Sequence, residues 1–241
     1  MSKGCCTRTP WTEVRRSITV FTICLRWATK TKNFFGGWPY KMSDQDNIKI
    51  FIYPTDTVWG IGTNATLEGG SDAIAGIKKT GKGKPLSVLF PNLSLLNEYF
   101  DFPGNLDQRW LADFFNAEST LGLPVSWSKG KIAPSVYAGM PHICVRCIES
   151  PEVSKLVEVA GGPVLTTSVN VTGNPPASNR DEAWSFFKEH VSDGQFIELE
   201  KLRPSGHSST MVLLNEDLTW TMIREGEKVD DVRQKLELLP A

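Results

Sequence analysis

Four separated segments of the chain present hydroxyl groups, an amide or an arginine, and three of them also contain glycine. They are residues 53–62 (YPTDTVWGIG), 167–173 (TSVNVTG), 208–212 (SSTMV) and 223–226 (IREG). Each adjoins a run with strand character, and open α/β sheets place ligand sites at the ends of strands. A single such segment is more often an ordinary turn or cap. The prediction of a site therefore depends on all four segments meeting in the fold.

A lysine-rich segment, residues 76–83 (GIKKTGKG), has the spacing of a P-loop, but Gly83 stands where a Ser or Thr hydroxyl should contact magnesium. A P-loop also follows a strand and opens a helix, whereas a helical pattern leads into this segment and a strand-like run follows it. We therefore reject the P-loop. What remains is a candidate polyphosphate site made of Lys78, Lys79, Lys82 and Lys84. Standing alone, such a loop is more often simply solvated.

Cys144 and Cys147 form a C-x-x-C pair, which is compatible with half of a zinc site or with a redox pair. The three histidines of the chain are scattered and offer no second ligand pair. Residues 142–148 have strand character, so side chains three positions apart face opposite sides of a sheet. Free cysteine commonly packs as a small apolar residue, and we interpret the pair as part of a buried strand. Five cysteines, an odd number, argue against a secreted disulfide scaffold.

Elements able to position these residues alternate along the chain, which predicts one α/β layered domain. Predicted strands cover residues 48–53, 86–90, 142–148, 163–167, 196–199, 210–214 and 220–224. Predicted helices cover residues 71–78, 106–116 and 151–160, a segment with Asp181 as its N-cap, and a last segment from Val229.

Composition and charge limit the classes of function that the chain can have. The chain has 241 residues, of which 40% are hydrophobic, enough for one domain with an appendage. Residues 1–41 hold eight basic side chains and one acidic side chain, so the remainder carries 18 basic and 26 acidic groups, a net charge of −8. A body that acidic is not a general polyanion binder, because phosphate contacts need clustered positive charge.

Residues 1–41 form a basic N-terminal extension, and three interpretations of it stay open. Its composition is presequence-like, but we favour a disordered tail, or a spurious upstream extension of a reading frame that starts at Met42. The apolar run at residues 18–25 is too short to cross a bilayer. We expect a domain at residues 42–241, no membrane association, and a cytoplasmic location, or a mitochondrial one if the extension is a genuine presequence.

Taken in order, the segments YPTDTVWGIG, IK followed by KPL, VR, TSVNVTG, SSTMV and IREG resemble the YrdC family of threonylcarbamoyl-AMP synthases over residues 48–226. The resemblance implies an open, twisted, mixed α/β sheet whose concave face holds ATP, L-threonine and bicarbonate. The implied product is L-threonylcarbamoyladenylate, formed with release of pyrophosphate and with Mg²⁺ bound to ATP. Implied partners are a threonylcarbamoyl transferase complex and tRNA or double-stranded RNA.

The resemblance also implies roles for single residues. Thr55 and Arg146 would bind threonine, with Arg146 facing either its carboxylate or the phosphates. ATP would be bound by Lys78, Ser168, Asn170, Ser209, Thr210 and Arg224, with Lys79, Lys82 and Lys84 as further phosphate contacts. No acid–base residue and no protein ligand for the metal is implied, because the reaction needs positioning and charge neutralisation rather than proton transfer.

Two positions depart from the family pattern. Thr80 stands where the family's K-x-R has arginine, and Ile148 stands where its V-R-x-P has proline. A lysine nearby lacks the bidentate fork of arginine and does not replace it fully. An alternative function therefore stays open: a non-catalytic or altered relative that binds RNA or a nucleotide in tRNA or ribosome maturation.

Overall fold

The structure, a computed structural model, describes residues 48–81 and 86–239 of the chain. The expectations for residues 1–41, and for Lys82 and Lys84, lie outside the described residues. The strands of the described part are Ile50–Pro54 (β1), Trp59–Asn64 (β2), Ser87–Phe90 (β3), Ser119–Pro124 (β4), His142–Cys147 (β5), Val164–Ser168 (β6), Gly194–Phe196 (β7), Thr210–Leu214 (β8) and Trp220–Arg224 (β9). Its helices are Gly70–Ile77 (α1), Leu93–Asn97 (α2), Gln108–Phe115 (α3), Pro134–Tyr137 (α4), Pro151–Ala160 (α5), Arg180–His190 (α6) and Val229–Leu236 (α7).

Within the described residues, all nine strands form one open mixed sheet in the order β7-β1-β2-β6-β3-β5-β4-β8-β9. Strands β1 and β7, β3 and β5, and β4 and β8 pair in parallel, and the other neighbours pair antiparallel. The predicted α/β class with a mixed sheet is confirmed. Strands far apart in the chain become neighbours in this order, so segments distant in sequence can line one site.

Both faces of the sheet are buried at β1, whose residues all have burial typical of a core. Ile50 and Ile52 point into the larger apolar cluster, while Phe51 and Tyr53 point into the smaller one. Successive residues of a strand face opposite sides, so an unbroken apolar run such as IFIYP fits a strand covered on both faces. This double burial holds the end of β1, and the turn that follows it, in a fixed place.

Strand β2 was not among the predicted strands, although its residues 59–62 belong to the quoted segment YPTDTVWGIG. A Cβ on Gly60 would lie 3.0 Å from Tyr53 Cε2 of the neighbouring strand β1. A Cβ on Gly62 would collide with the carbonyl oxygen of Leu165 on β6 and would lie 2.8 Å from the Tyr53 hydroxyl. Glycine inside a strand often marks such a close approach. The glycines here serve packing within the sheet rather than a turn.

Other predictions had mixed outcomes. The strands at 210–214 and 220–224, the helix at 151–160 and the helix start at Val229 are confirmed. Strand β4 was missed, and the strand predicted at 196–199 lies at Gly194–Phe196 instead, because Gly194 packs directly against Ile50 of β1. Asp181 as an N-cap is wrong. The extended residue Asn179 caps α6, and its side chain accepts a hydrogen bond from the backbone N–H of Glu182.

In the part of the chain that the structure describes, no helix has the length and apolar character needed to cross a membrane.

Replacing Gly62 by alanine tests the close packing of β2. The added methyl group meets backbone and buried side chains, so we expect Gly62→Ala to lower the free energy of unfolding by about 1–3 kcal/mol. Gly76→Ala is the control, because a Cβ there meets nothing within 4 Å and alanine favours a helix. That variant should be neutral or more stable by up to about 1 kcal/mol. Urea denaturation measures both, and equal stability of the two variants would contradict this account.

Candidate ligand site at the strand ends

A cavity of about 250 Å³ opens where the ends of several strands meet. Hydroxyl groups dominate its wall, from Thr55, Thr57, Ser87, Thr120, Thr166, Thr167, Ser168, Ser208 and Ser209. The guanidinium groups of Arg146 and Arg224 also line it, and among its described lining residues none is acidic. All four segments singled out in the sequence contribute, so the prediction that they meet is confirmed. Hydroxyls and two cations suit an anionic ligand.

The turn between β1 and β2 supplies one side of the cavity. Thr55 Oγ1 donates to the carbonyl oxygen of Val58 at 2.6 Å and accepts from the N–H groups of Thr57 and Val58. Its single hydrogen is therefore committed, so in the 3.0 Å contact between the two threonine hydroxyls Thr57 must donate. Thr55 is buried, with 4% exposure, and its hydroxyl organises the turn. A direct contact between Thr55 and threonine stays a prediction.

Arg146 of β5 is held by this same turn. Its Nη1 donates to Thr57 Oγ1 at 2.8 Å, and its Nη2 lies 2.5 Å from Asp56 Oδ1. The side chain of Arg146 is 9% exposed and that of Asp56 is 23% exposed. A guanidinium this buried needs a carboxylate and hydrogen-bond acceptors beside it. Asp56 and Thr57 provide both.

Arg224 of β9 faces the cavity from another side. Its Nε donates to the carbonyl oxygen of Ser209 at 2.9 Å, and its Nη2 donates to Ser209 Oγ at 3.0 Å. Ser209 Oγ also lies 2.8 Å from Thr120 Oγ1. Burial lowers the pKa of Arg224, and the nearby positive charge of Arg146 lowers it further. Two guanidiniums that repel one another create a position between them that favours an anion.

Lys78 lies just beyond helix α1 and joins it to the segment after β6. Its Nζ donates to the carbonyl oxygen of Ser168, to that of Asn170 at 3.0 Å and to Asn170 Oδ1 at 2.6 Å. Ser168 Oγ donates to the same Oδ1 at 2.8 Å, and the backbone N–H of Thr172 donates to the carbonyl oxygen of Lys78. The predicted proximity of Lys78, Ser168 and Asn170 is confirmed. An ammonium has three hydrogens, and here protein oxygens accept from it.

The predicted ATP residues divide into two groups. Ser168, Ser209 and Arg224 line the cavity, whereas Lys78, Asn170 and Thr210 lie outside its wall. The hydroxyl of Thr210 accepts from the backbone N–H of Gly226 and is 1% exposed. Lys79 is exposed, with a left-handed backbone at φ 51°, and does not line the cavity. The roles of these residues in ATP binding stay predictions.

Sequence reasoning missed several residues of the site. Thr57 and Asp56 stood inside the quoted turn segment but were given no role, and Thr120 lies on the unpredicted strand β4. The buried hydroxyl of Tyr53 donates to Thr166 Oγ1 at 2.7 Å and so fixes a hydroxyl of the cavity wall. Burial raises the pKa of Tyr53, so the phenol stays protonated. One feature of the sequence could have indicated this role of Tyr53: it precedes a short turn, and two glycines, Gly60 and Gly62, follow that turn.

Cys144 and Cys147 lie on β5 as predicted. Cys144 is partly exposed, Cys147 is buried, and both thiols are free. Burial raises the pKa of Cys147 to about 12, and the charge of Glu149 adds to this, so its thiol stays protonated at neutral pH. Among the described residues, no group of three or more His, Cys, Asp or Glu side chains could hold a metal ion.

Comparisons with known proteins bear on this site. The family model Sua5_yciO_yrdC, described as "Telomere recombination", matches residues 46–226. A threonylcarbamoyl-AMP synthase of Pseudoalteromonas atlantica is 32% identical over 146 residues, which are 59% of this chain and 76% of the relative. A threonylcarbamoyl-AMP synthase of Actinobacillus succinogenes is 27% identical over 181 residues, 74% of this chain and 93% of the relative.

Solved structures share the fold. Sua5 of P. abyssi complexed with L-threonine superposes with a TM-score of 0.64 at 23% identity, over 78% of this chain and 54% of that chain. E. coli YciO gives a TM-score of 0.57 at 19% identity, over 76% of this chain and 88% of that chain. The described chain thus spans about half the length of the P. abyssi protein.

A mixed sheet with a hydroxyl-lined, doubly cationic cavity at its strand ends is the architecture of a protein that binds a small anionic ligand. The match over residues 46–226 shows that the chain belongs to the Sua5/YciO/YrdC family.

Replacing Lys78 by methionine tests its structural role. Carbonyl oxygens of Ser168 and Asn170 lose their donor, so we expect Lys78→Met to lower the free energy of unfolding by about 2–3 kcal/mol. Lys79→Met is the matched control, since the neighbouring lysine is exposed, and we expect a change within about 0.5 kcal/mol. Urea denaturation at pH 7 measures both. An unchanged stability of Lys78→Met would show that the carbonyl contacts contribute nothing.

Proposed function

We propose that the chain is an L-threonylcarbamoyladenylate synthase, a nucleotidyltransferase that uses L-threonine, bicarbonate and ATP and releases pyrophosphate. The observation that carries the proposal is the cavity in which Arg146, Arg224 and the hydroxyls of four distant segments converge. Relatives named threonylcarbamoyl-AMP synthase and the P. abyssi Sua5 structure with L-threonine support the choice of substrates.

The proposed reaction makes modest demands on the protein. The amine of threonine combines with bicarbonate and loses water, which gives a carbamate with an anionic oxygen. That oxygen attacks the α-phosphorus of ATP, the bond from this phosphorus to the bridging oxygen breaks, and pyrophosphate leaves with the electron pair. The nucleophile is already anionic, so no general base is needed. The protein has to hold two anions close together and to stabilise the charge on the leaving group.

The cavity offers groups for both tasks. We propose that Arg146 binds the carboxylate of threonine beside the Thr55–Thr57 turn. Arg224, with the hydroxyls of Ser209 and Ser168, takes the nucleotide phosphates. Arg146 is buried, so its charge acts with little screening by water, whereas Arg224 lies on an exposed part of β9. Lys78 supports the phosphate side by holding the segment that carries Ser168 and Asn170.

Magnesium is proposed to enter with ATP. No acidic residue lines the cavity among the described residues, so its lining suits a metal held by phosphate oxygens and water better than one held in a protein cage. Bound in that way, Mg²⁺ supplies positive charge to the triphosphate. The chain's own contribution is then to orient the nucleotide through hydroxyl and guanidinium donors.

We propose further that the product passes to a threonylcarbamoyl transferase complex, which modifies an adenosine of tRNA. A direct contact of this chain with tRNA or double-stranded RNA, and the cytoplasmic or mitochondrial location, stay predictions from the sequence. The net charge of −8 outside residues 1–41 confines any RNA contact to a local basic patch.

Pyrophosphate release tests the proposed activity. Purified protein is incubated with ATP, MgCl₂, L-threonine and bicarbonate, and we expect pyrophosphate that disappears when either L-threonine or bicarbonate is left out. The adenylate product is identified by mass spectrometry. Absence of this product, together with RNA binding that weakens steeply with salt, would instead support the alternative of a non-catalytic RNA-binding relative.

Arg224→Gln tests the phosphate side of the cavity. Loss of a charge-assisted contact is expected to lower kcat/KM for ATP about tenfold to a hundredfold. Arg109→Gln is the control, since Arg109 is exposed on α3 and does not line the cavity. Steady-state pyrophosphate release gives both values, with thermal melts to confirm that each variant is folded. A kcat/KM for ATP equal to that of the unmodified chain would remove Arg224 from the phosphate site.

A further inference from the structure

The more buried guanidinium of the cavity already has a carboxylate from the chain itself. Asp56 Oδ1 lies 2.5 Å from Nη2 of Arg146, and Thr57 Oγ1 accepts from Nη1. Both terminal nitrogens, which a ligand carboxylate would use for a bidentate contact, are therefore engaged. The Nε of Arg146 is buried and has no acceptor within the described residues. Asp56 thus occupies a position on Arg146 that an anionic ligand could take.

We propose that Asp56 is an internal competitor at Arg146: an incoming substrate carboxylate displaces the Asp56 carboxylate and takes its place on the guanidinium. This inference deepens the proposed function and depends on Arg146 as the carboxylate-binding residue. Asp56 is a specificity-determining residue in this scheme. A ligand binds to Arg146 only if it carries a carboxylate or a similar anion that can replace Asp56.

Charge balance supports the exchange. A buried guanidinium without a counter-ion is strongly destabilising, so the free protein needs Asp56 on Arg146. With Asp56 in place, the two arginines and one carboxylate give a local charge of +1. A threonine that has formed its carbamate brings two negative charges, and departure of Asp56 leaves two arginines to meet them. Two carboxylates on one buried guanidinium would instead repel each other.

The geometry lets the Asp56 side chain leave without moving the turn. The backbone of the turn is tied down, because the N–H of Ser205 donates to the carbonyl oxygen of Asp56 at 2.9 Å and the N–H of Gly206 donates to that of Thr57 at 2.7 Å. Its side chain is 23% exposed, so rotation about χ1 can carry the carboxylate towards solvent. The threonine hydroxyl network that faces Arg146 stays in place during this rotation.

A second cation, Lys228, lies within electrostatic range of Asp56. Lys228 Nζ is 2.8 Å from Glu118 Oε1, and Glu118 Oε2 accepts from Ser205 Oγ at 2.9 Å, next to the segment that holds Asp56. The hydrogen bond to Glu118 is the main cause that raises the pKa of Lys228, and the charge of Asp56 adds to it.

Asp56→Asn tests the proposal. The amide keeps an oxygen acceptor for Arg146 but removes the charge, and neutral hydrogen bonds are about half as strong as charge-assisted ones. By isothermal titration without ATP, we expect the Kd of L-threonine to fall about threefold to tenfold. L-Threoninol, in which a hydroxymethyl group replaces the carboxylate, should bind both proteins equally. A residue that only supported the fold would not change this selectivity.

Asp101→Asn is the matched control. It makes the same chemical change at an aspartate that is paired with Lys129 at 3.0 Å, is 80% exposed and does not line the cavity. This variant should leave both Kd values unchanged. Weaker L-threonine binding in Asp56→Asn, or an equal change for L-threonine and L-threoninol, would overturn the proposal, since Asp56 would then be positioning Arg146 for the ligand rather than competing with it.

Inorganic phosphate, used as a second probe, separates this inference from the proposed function. If the unmodified chain does not bind L-threonine but phosphate binds more tightly to Asp56→Asn, the proposed substrate is wrong and the competition at Arg146 holds. If neither L-threonine nor phosphate binds Asp56→Asn more tightly than the unmodified chain, the competition is wrong, whatever the assay of pyrophosphate release shows.

Discussion

A guanidinium buried in the sheet is the constraint on which the site depends. Arg146 sits on β5 with 9% of its side chain exposed, and a charge in that position requires fixed partners. Those partners come from the turn between β1 and β2, which is itself held by the double burial of β1 and by the Thr55 hydroxyl. The packing of the core therefore also determines the geometry of the ligand site, because the turn that holds Arg146 is fixed by the buried strand β1.

The opposite side of the cavity is organised by the same kind of interaction. Lys78 is 6% exposed and places its charge among carbonyl oxygens and the Asn170 side chain. Arg224 likewise grips both the backbone and the hydroxyl of Ser209. In each case a cation first orders the protein segment that carries a ligand-facing hydroxyl. Preorganised donors of this type lose little conformational freedom when a ligand arrives.

Part of this arrangement could be predicted from the sequence. Arg146 and Ser168 stood beside β-branched, apolar runs, so their strands and their places at strand ends were readable. Strand β2 was missed, because Gly60 and Gly62 serve close packing against Tyr53 and Leu165 of the neighbouring strands, which local propensity does not express. Asp56 and Thr57 were visible as turn residues, but their grip on Arg146 depends on a tertiary contact. The contacts of Lys78 with backbone carbonyl oxygens could not be predicted, because every residue type has a carbonyl oxygen.

Several of the contacts that build the site join residues far apart along the chain. Thr57 and Arg146 are 89 positions apart, Lys78 and Ser168 are 90 apart, and Thr120 and Ser209 are 89 apart. Closing such long loops is entropically costly and slows folding. The ligand pocket thus cannot exist in any early, locally structured intermediate, and during synthesis on the ribosome it appears only when β9 has emerged. Ligand affinity consequently reports on completion of the whole sheet.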